Sequence, residues 1–455
     1  MTSPVGGCAR RRARRYRCFD AATVVEVIED ITPKSPVDRL TRDYSKKEKQ
    51  REFDAELVAA VVGMSRAFIA RALDRPGTRP QTFTLAEVLT LLDVDGFQET
   101  FIPRSKIPKF LLEGAQAPPT DLPALRRSER KIDDVTLVVG NALELLPRLE
   151  PGSIQCVTTS SPYWGMRVYE NERNVRWADG ESCPYGFEQT PEGFIRHTIE
   201  LLVLLKPAIA QHGSVWWNIM DTYNTRTPIR GNARERLDEM SAKPGSRRGW
   251  TEHGAVRHSA GHMYLDDTEL SSIPSRIAER ASRAGYKLKS FITWRKDTST
   301  PEPVKSRVSR QAEYVLHLSV DRTPYFNKAA WKDLDPRLGG PNTNFESAKR
   351  PTDVWCLPTS NGKNGHGAEF SLPLAGRCIA LTSKPGDLVL DPFVGSGTSA
   401  VAAVELERRF IGYDINEPYV DVAERRVKAA LRTQLKLDEK PSVSEIVPRP
   451  AVGDD

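Results

Sequence analysis

At 455 residues with 39% apolar side chains, the chain can bury a large core and has room for more than one domain. No stretch approaches the roughly 20 apolar residues that cross a bilayer, and the first residues lack the apolar core of a secretory signal, so a cytoplasmic protein without a membrane partner is expected. The six cysteines (Cys8, Cys18, Cys156, Cys183, Cys356 and Cys378) lie far apart without metal-ligand spacing and read as free thiols, with no metal centre expected. The net charge of +6 is modest, and its placement matters more than its size.

Residues 1–50 carry Arg10, Arg11, Arg12, Arg14, Arg15 and Arg17 without sustained apolar periodicity. They read as a basic, poorly ordered arm that is either merely solvated or in contact with phosphates. Residues 51–130 hold a helical region and a linker. Phe53, Leu57, Val58, Val61 and Val62 recur at helix spacing, Gly63 breaks the run, and Ser65 stands as an N-cap for a second helix with Phe68, Ile69 and Leu73. The pattern suits a helix-turn-helix, and it equally suits a small helical bundle with no nucleic-acid role. A Pro- and Arg-rich linker is expected from about 114 to 133.

From residue 134 strands and helices alternate. Strands are expected at Val135–Val139, Ile154–Thr158, Gly213–Ile219, Leu388–Leu390 and Phe410–Asp414, with an antiparallel-looking pair at Leu288–Trp294 and Glu313–Leu318. Helices are expected at Ala142–Leu149, Glu192–Ile209, Ile273–Ala284 and Ser399–Glu407. Such alternation implies an α/β fold, a mostly parallel sheet covered on both faces, with a small helical N-terminal region. Residues 222–263, rich in Arg, Gly and Ser, read as an insertion, and residues 436–455 as a tail.

Two tight turns carry the chemistry. Ser160-Ser161-Pro162-Tyr163 ends one apolar strand, and Asp391-Pro392-Phe393-Val394-Gly395-Ser396-Gly397-Thr398 ends another. Open α/β sheets place ligands at such strand ends. The second turn has no lysine after Gly397, so it is not a phosphate loop, and it does not match Gly-x-Gly-x-x-Gly. Its glycines admit close backbone approach, and Asp414, at the end of the next strand, can accept both hydroxyls of a ribose. In the first turn the Ser160 hydroxyl and the Ser161 carbonyl are two acceptors for an amine. Pro162 biases Ser161 towards extended backbone, and Tyr163 offers a ring face.

Together the motifs resemble those of the amino-methyltransferases of DNA, in the β arrangement with the catalytic half first. Ser160–Tyr163 is similar to their (Asp/Asn/Ser)-Pro-Pro-(Tyr/Phe) signature, with Ser161 replacing the first proline. Phe393 to Gly397 is similar to their Phe-x-Gly-x-Gly turn. The resemblance covers about residues 134–430 and continues through Trp164-Gly165-Met166-Arg167, Trp294-Arg295-Lys296 and Glu313-Tyr314-Val315-Leu316.

The resemblance implies a Rossmann-like S-adenosyl-L-methionine-dependent fold with a catalytic half at 134–327, a target-recognition segment at 328–368 and a cofactor half at 369–430. Ser160, Ser161, Pro162 and Tyr163 would be catalytic. Asp391, Pro392, Phe393, Gly395, Gly397, Thr398 and Asp414 would hold the cofactor. Serine at the first motif position is typical of cytosine-N4 enzymes of restriction-modification systems, so DNA and a cognate restriction endonuclease are the expected partners. Arg226, Arg230, Arg247, Arg248, Lys349 and Arg350 are candidate phosphate contacts around a flipped base. An adenine-N6 enzyme, or a DNA-binding regulator with an inactive domain, are the alternatives.

Overall fold

The computed structural model describes residues 44–75, 80–94, 97–113, 128–166, 174–224, 265–266, 268–296, 305–341, 350–360 and 370–438. The Arg-rich segment 10–17, nearly all of the expected insertion, including Arg226 to Arg248, and Lys349 lie outside these residues.

The N-terminal region opens with α1 (Lys46–Lys49), inside the segment expected to be an unordered arm. Ser45 and Glu48 close a reciprocal capping box on this single turn. A short ribbon, β1 (Glu52–Asp54) with β2 (Thr82–Thr84), encloses α2 (Ala55–Val62) and α3 (Arg66–Ala72), and α4 (Leu85–Leu92) follows. Asp54 caps α2, Gly63 ends it at φ 70°, and Ser65 caps α3 by accepting from the Phe68 N–H. The two-helix reading therefore stands from residue 55, whereas Phe53 lies in a strand: its place in the core mimics a helical repeat with Leu57. Helix α5 (Ile107–Glu113) completes the region. Thr100 ties it down, donating to the carbonyls of Ala60 and Val61 while its own carbonyl accepts from Arg280.

The expected linker ends early. Residues 129–132 form an edge strand, β3 (Glu129–Ile132), antiparallel to β4 (Val135–Val139). Arg130 anchors it, pairing with Glu417, Asp421 and Glu424. The chain continues through α6 (Ala142–Leu145), which Pro147 turns into a 3-10 turn, and then β5 (Ile154–Ser160). A two-stranded ribbon follows, β6 (Val175–Arg176) with β7 (Ser182–Cys183). Helix α7 (Pro191–Leu205) stops four residues short of the expected Ile209. Pro207 sits in a 3-10 turn there, and Ile209 already begins β8 (Ile209–Ile219).

Next come α8 (Ile273–Arg283), β9 (Lys287–Arg295), β10 (Ala312–Ser319), α9 (Lys328–Lys332), β11 (Val354–Cys356) and α10 (Leu372–Thr382). The chain closes with β12 (Leu388–Asp391), α11 (Thr398–Glu405), β13 (Arg409–Asp414) and α12 (Glu417–Asp438), whose end runs into the expected tail.

The nine-stranded sheet runs β11-β9-β10-β8-β5-β12-β13-β4-β3. The five strands from β8 to β4 are mutually parallel, and antiparallel pairs flank them. Strand alternation sends neighbouring side chains to opposite faces. Trp217 joins the core beneath α7 and α8, and Trp216 the core beneath α10 and α11. The fold is thus the expected three-layer α/β architecture.

The segment 328–368 was expected to clasp DNA. In its described parts Trp331 and Trp355 are buried in the core and β11 is paired to β9, while Arg350 is exposed. Arg377 of α10 lies between these indoles and donates to the Gly339 and Gly340 carbonyls at 2.6 and 3.2 Å. No helix among the described residues is long and apolar enough to cross a membrane.

Candidate active site

Strand order decides where a ligand can sit. From β5 the chain passes through α7 to β8 on one side, and from β12 it passes through α11 to β13 on the other. Adjacent parallel strands whose connections diverge leave a crevice beyond their carboxyl ends. Both sequence motifs stand at this crevice, because β5 ends at Ser160 and β12 at Asp391.

Side chains join the two motifs directly. Thr159 donates to Asp391 Oδ1 at 2.6 Å. Trp217 donates from Nε1 to Ser161 Oγ at 3.1 Å and presents its ring to the edge of Phe393, centroids 6.0 Å apart. Tyr185 stacks on Phe393 at 5.4 Å and an interplanar angle of 15°. Ser160, Pro162, Tyr163, Phe393, Gly395 and Asp414 are half-buried and reach the crevice, whereas Ser161, Pro392, Gly397 and Thr398 are buried beneath it.

Asp391 is a support of the turn. Its Oδ1 accepts from Thr159 and from the Phe393 N–H, its Oδ2 from Ser399 at 2.5 Å, and only 2% of the residue is exposed. Burial pushes its carboxyl up to about 6 against these hydrogen bonds. The carboxylate is thus engaged by two side-chain hydroxyls and one backbone N–H of the turn. Gly397 is dictated by packing, since at φ 83° a Cβ would lie 2.6 Å from Ala423 Cβ. Thr398 faces Arg426, whose guanidinium also donates to the Ser396 carbonyl.

Asp414 closes the far side. Its Oδ2 accepts from the Gly395 N–H at 2.9 Å and its Oδ1 from the Asn416 N–H at 2.8 Å. Burial pushes it up to about 7 against those donors. Each oxygen keeps a lone pair for a further donor. A carboxylate acceptor held by the Gly395 N–H, on a turn that also carries the Phe393 ring, fits a nucleoside with vicinal hydroxyls.

Near Ser160 the structure brings in three residues that are not among the sequence-predicted site residues, Asn218 of β8, Glu313 of β10 and Lys296 just beyond β9. Asn218 Nδ2 lies 3.3 Å from Ser160 Oγ, 2.7 Å from the Tyr163 hydroxyl and 2.8 Å from Glu313 Oε2. The Tyr163 hydroxyl donates to Glu313 Oε2 at 2.5 Å, and Lys296 pairs with Glu313 Oε1 at 2.7 Å. The available signal was a polar residue in an apolar run, as in Val215-Trp216-Trp217-Asn218-Ile219.

Behind this wall, residues 174–190 are held by a buried ionic cluster. His197 is stacked on Trp177 at 4.0 Å, with Nδ1 2.9 Å from Glu188 and Nε2 3.3 Å from Asp179. Glu181 and Cys183 complete a group of ligand-type atoms within 4.8 Å of one another, but both nitrogens of the ring are already engaged by carboxylates.

The family model described as DNA methylase, of the N6/N4 type, matches residues 154–425, a span that begins with β5 and ends within α12 and so includes both motifs. The chain belongs to the DNA methylase family. The Type II methyltransferase M.Cfr9I of Citrobacter freundii is 30% identical over 316 residues, 68% of this chain and 93% of that protein. M.SmaI of Serratia marcescens is 29% identical over 301 residues, 66% and 92% of the two chains. Among solved structures, the PvuII DNA methyltransferase (cytosine-N4-specific) covers 67% of this chain and 92% of its own at 17% identity. The TM-score of that comparison is 0.44. The methylase is thus an enzyme of DNA, and residues 1–153 precede the matched region.

Proposed function

We propose that this DNA methylase transfers the methyl group of S-adenosyl-L-methionine to the exocyclic N4 amine of cytosine at a specific DNA site, as the modifying half of a restriction-modification system with a cognate endonuclease as its functional partner. The observation that carries the reading is the meeting of the two motifs at one crevice, bridged by Trp217 and by the Thr159–Asp391 hydrogen bond.

S-adenosyl-L-methionine, when bound, supplies a methyl carbon activated by a positive sulfur. Phe393, Gly395 and Asp414 would hold it, Asp414 by accepting from the ribose hydroxyls. An exocyclic amine is a poor nucleophile because its lone pair is delocalised into the ring. Acceptors placed at its hydrogens, the Ser160 hydroxyl and the Ser161 carbonyl, favour a pyramidal nitrogen and stabilise the charge that develops there. The half-buried Tyr163 ring supplies a face for a base taken out of its stack, an extrusion that costs a few kcal/mol. Serine at position 160 supports cytosine as the target. Arg350 and the basic residues at 226–248 and 349 would contact phosphates.

The test is incubation of the purified protein with labelled S-adenosyl-L-methionine and mixed-sequence DNA, followed by nucleoside analysis. Label in N4-methylcytosine supports the reading. Label in N6-methyladenine overturns the base assignment, and absence of transfer overturns the reading itself.

A further inference from the structure

The network around Glu313 goes beyond the acceptors just described, and its interpretation rests on the methyl-transfer reading. Glu313 stands on β10, two residues from Val315, which the antiparallel register sets opposite Asn218 of β8. It is 8% exposed. Its Oε2 takes the Tyr163 hydroxyl and Asn218 Nδ2, and its Oε1 takes Lys296. A carboxylate paired with a lysine accepts and does not donate. The proton of Tyr163 is therefore committed to Glu313, and the Tyr163 oxygen becomes an acceptor. Ser160 Oγ lies 3.3 Å from that oxygen, and with the Tyr163 proton committed the Ser160 proton is the one that fits between them. Asn218 reinforces the direction, because Nδ2 offers two hydrogens to three oxygens. Turned over, its amide would set Oδ1 against the carboxylate.

We propose that Glu313 is a positioning residue that fixes the direction of the hydroxyl chain Ser160–Tyr163–Glu313. Ser160 Oγ then meets the target amine with a lone pair, and the surplus proton of the amine leaves along the chain. The nitrogen lone pair forms the new N–C bond, and the electron pair of the breaking C–S bond goes to sulfur. One N–H bond of the cationic nitrogen then breaks, leaving its pair on nitrogen. Its proton passes to Ser160 Oγ, the Ser160 proton to the Tyr163 oxygen, and the Tyr163 proton to Glu313 Oε2. Glu313 later returns its proton to water. Nothing is oxidised or reduced.

The competing account is a staple between β9 and β10 that has no dealings with the Tyr163 hydroxyl. A double-mutant cycle on the full chain separates the two, using Glu313→Gln, Tyr163→Phe and their combination in single-turnover transfer to target DNA. Each single variant is expected to lower the rate constant about 100-fold, the lower range for positioned proton acceptors. The KM for DNA and the calorimetric affinity for S-adenosyl-L-methionine should stay within about twofold, and the double variant within about threefold of the slower single. Glu313→Asp should recover part of the rate. Single losses that multiply, or a Glu313→Gln rate within about threefold of wild type, overturn the proposal. If Glu313→Gln does not fold, Tyr163→Phe decides alone, since it leaves the Glu313–Lys296 pair intact; a rate within about threefold of wild type then overturns it. A wild-type protein that transfers no methyl group overturns the functional reading along with this one, a result distinct from wild-type transfer that the variants leave unaltered.

Discussion

Replacement of His197 by glutamine tests how the fold holds the wall of its crevice. His197 is fully buried, and Asp179 and Glu188 beside it are 6% and 0% exposed. Burial disfavours its charge, yet the hydrogen bonds it donates to Asp179 and Glu188 outweigh that effect and hold its pKa up at about 9. The sign follows from linkage. A histidine raised from its ordinary 6.5 to about 9 contributes stability that is fully present below pH 6.5 and lost as pH rises through 9. At 1.36 kcal/mol per pH unit, the interval of roughly 2.5 units amounts to about 3 kcal/mol. His197→Gln also leaves two buried carboxylates without their cation, a change that typically costs about 3–5 kcal/mol near neutral pH. Urea unfolding of wild type and variant at intervals from pH 6 to pH 10 measures both effects. Their difference in unfolding free energy is expected to shrink with rising pH. A difference that stays flat across that range would show that the ring is neutral in the folded protein and refute the reasoning.

Three further outcomes follow from the crevice. Gly397→Ala must place a side chain at φ 83° and against Ala423, so unfolding in urea should show a loss of about 2–4 kcal/mol from strain and overpacking together. Asp414→Asn should weaken S-adenosyl-L-methionine binding at least about tenfold by calorimetry, the loss expected when a charged acceptor is neutralised. Because burial raises Asp414 to about 7, wild-type affinity should fall as pH drops through 7, and the variant should lack that dependence. Trp217→Phe keeps most of the ring but loses the Nε1 bond to Ser161. It should lose about 1 kcal/mol of stability and slow methyl transfer, as measured by single-turnover kinetics.

The parallel core and both motif turns were legible because each is local. Strand runs such as Val135–Val139 and Ile154–Ser160 declare themselves by composition, and the Gly395–Gly397 turn by residues that tolerate positive φ. The end of α7 was misread because apolar residues continue through Leu205 into Ile209, while the stop depends on one proline in a 3-10 turn. The packing within residues 328–368 was not legible for a related reason. Their basic, weakly apolar composition gives no sign of it, yet Gly339 and Gly340 are there because a Cβ would strike the Pro373 and Leu334 carbonyl oxygens. Composition alone does not distinguish a glycine that loosens a chain from one that lets it pack.

The polar network at Ser160 belongs to a different class. Asn218 lies on β8, Glu313 on β10 and Lys296 just past the end of β9, and Asn218 and Lys296 reach the Glu313 carboxylate at 2.8 and 2.7 Å. They meet only because the antiparallel strands β9 and β10 are added to the β8 edge of the parallel sheet. Spacing along the chain carries no trace of that meeting, since it is set by strand order and register. The motif turns, by contrast, are read by spacing because each must shape its own backbone. This division explains why the groups proposed to touch the cofactor and the base can be found in a linear search, whereas those that orient them need coordinates. It also locates the most informative mutations in the antiparallel extension, at residues far in sequence from either motif.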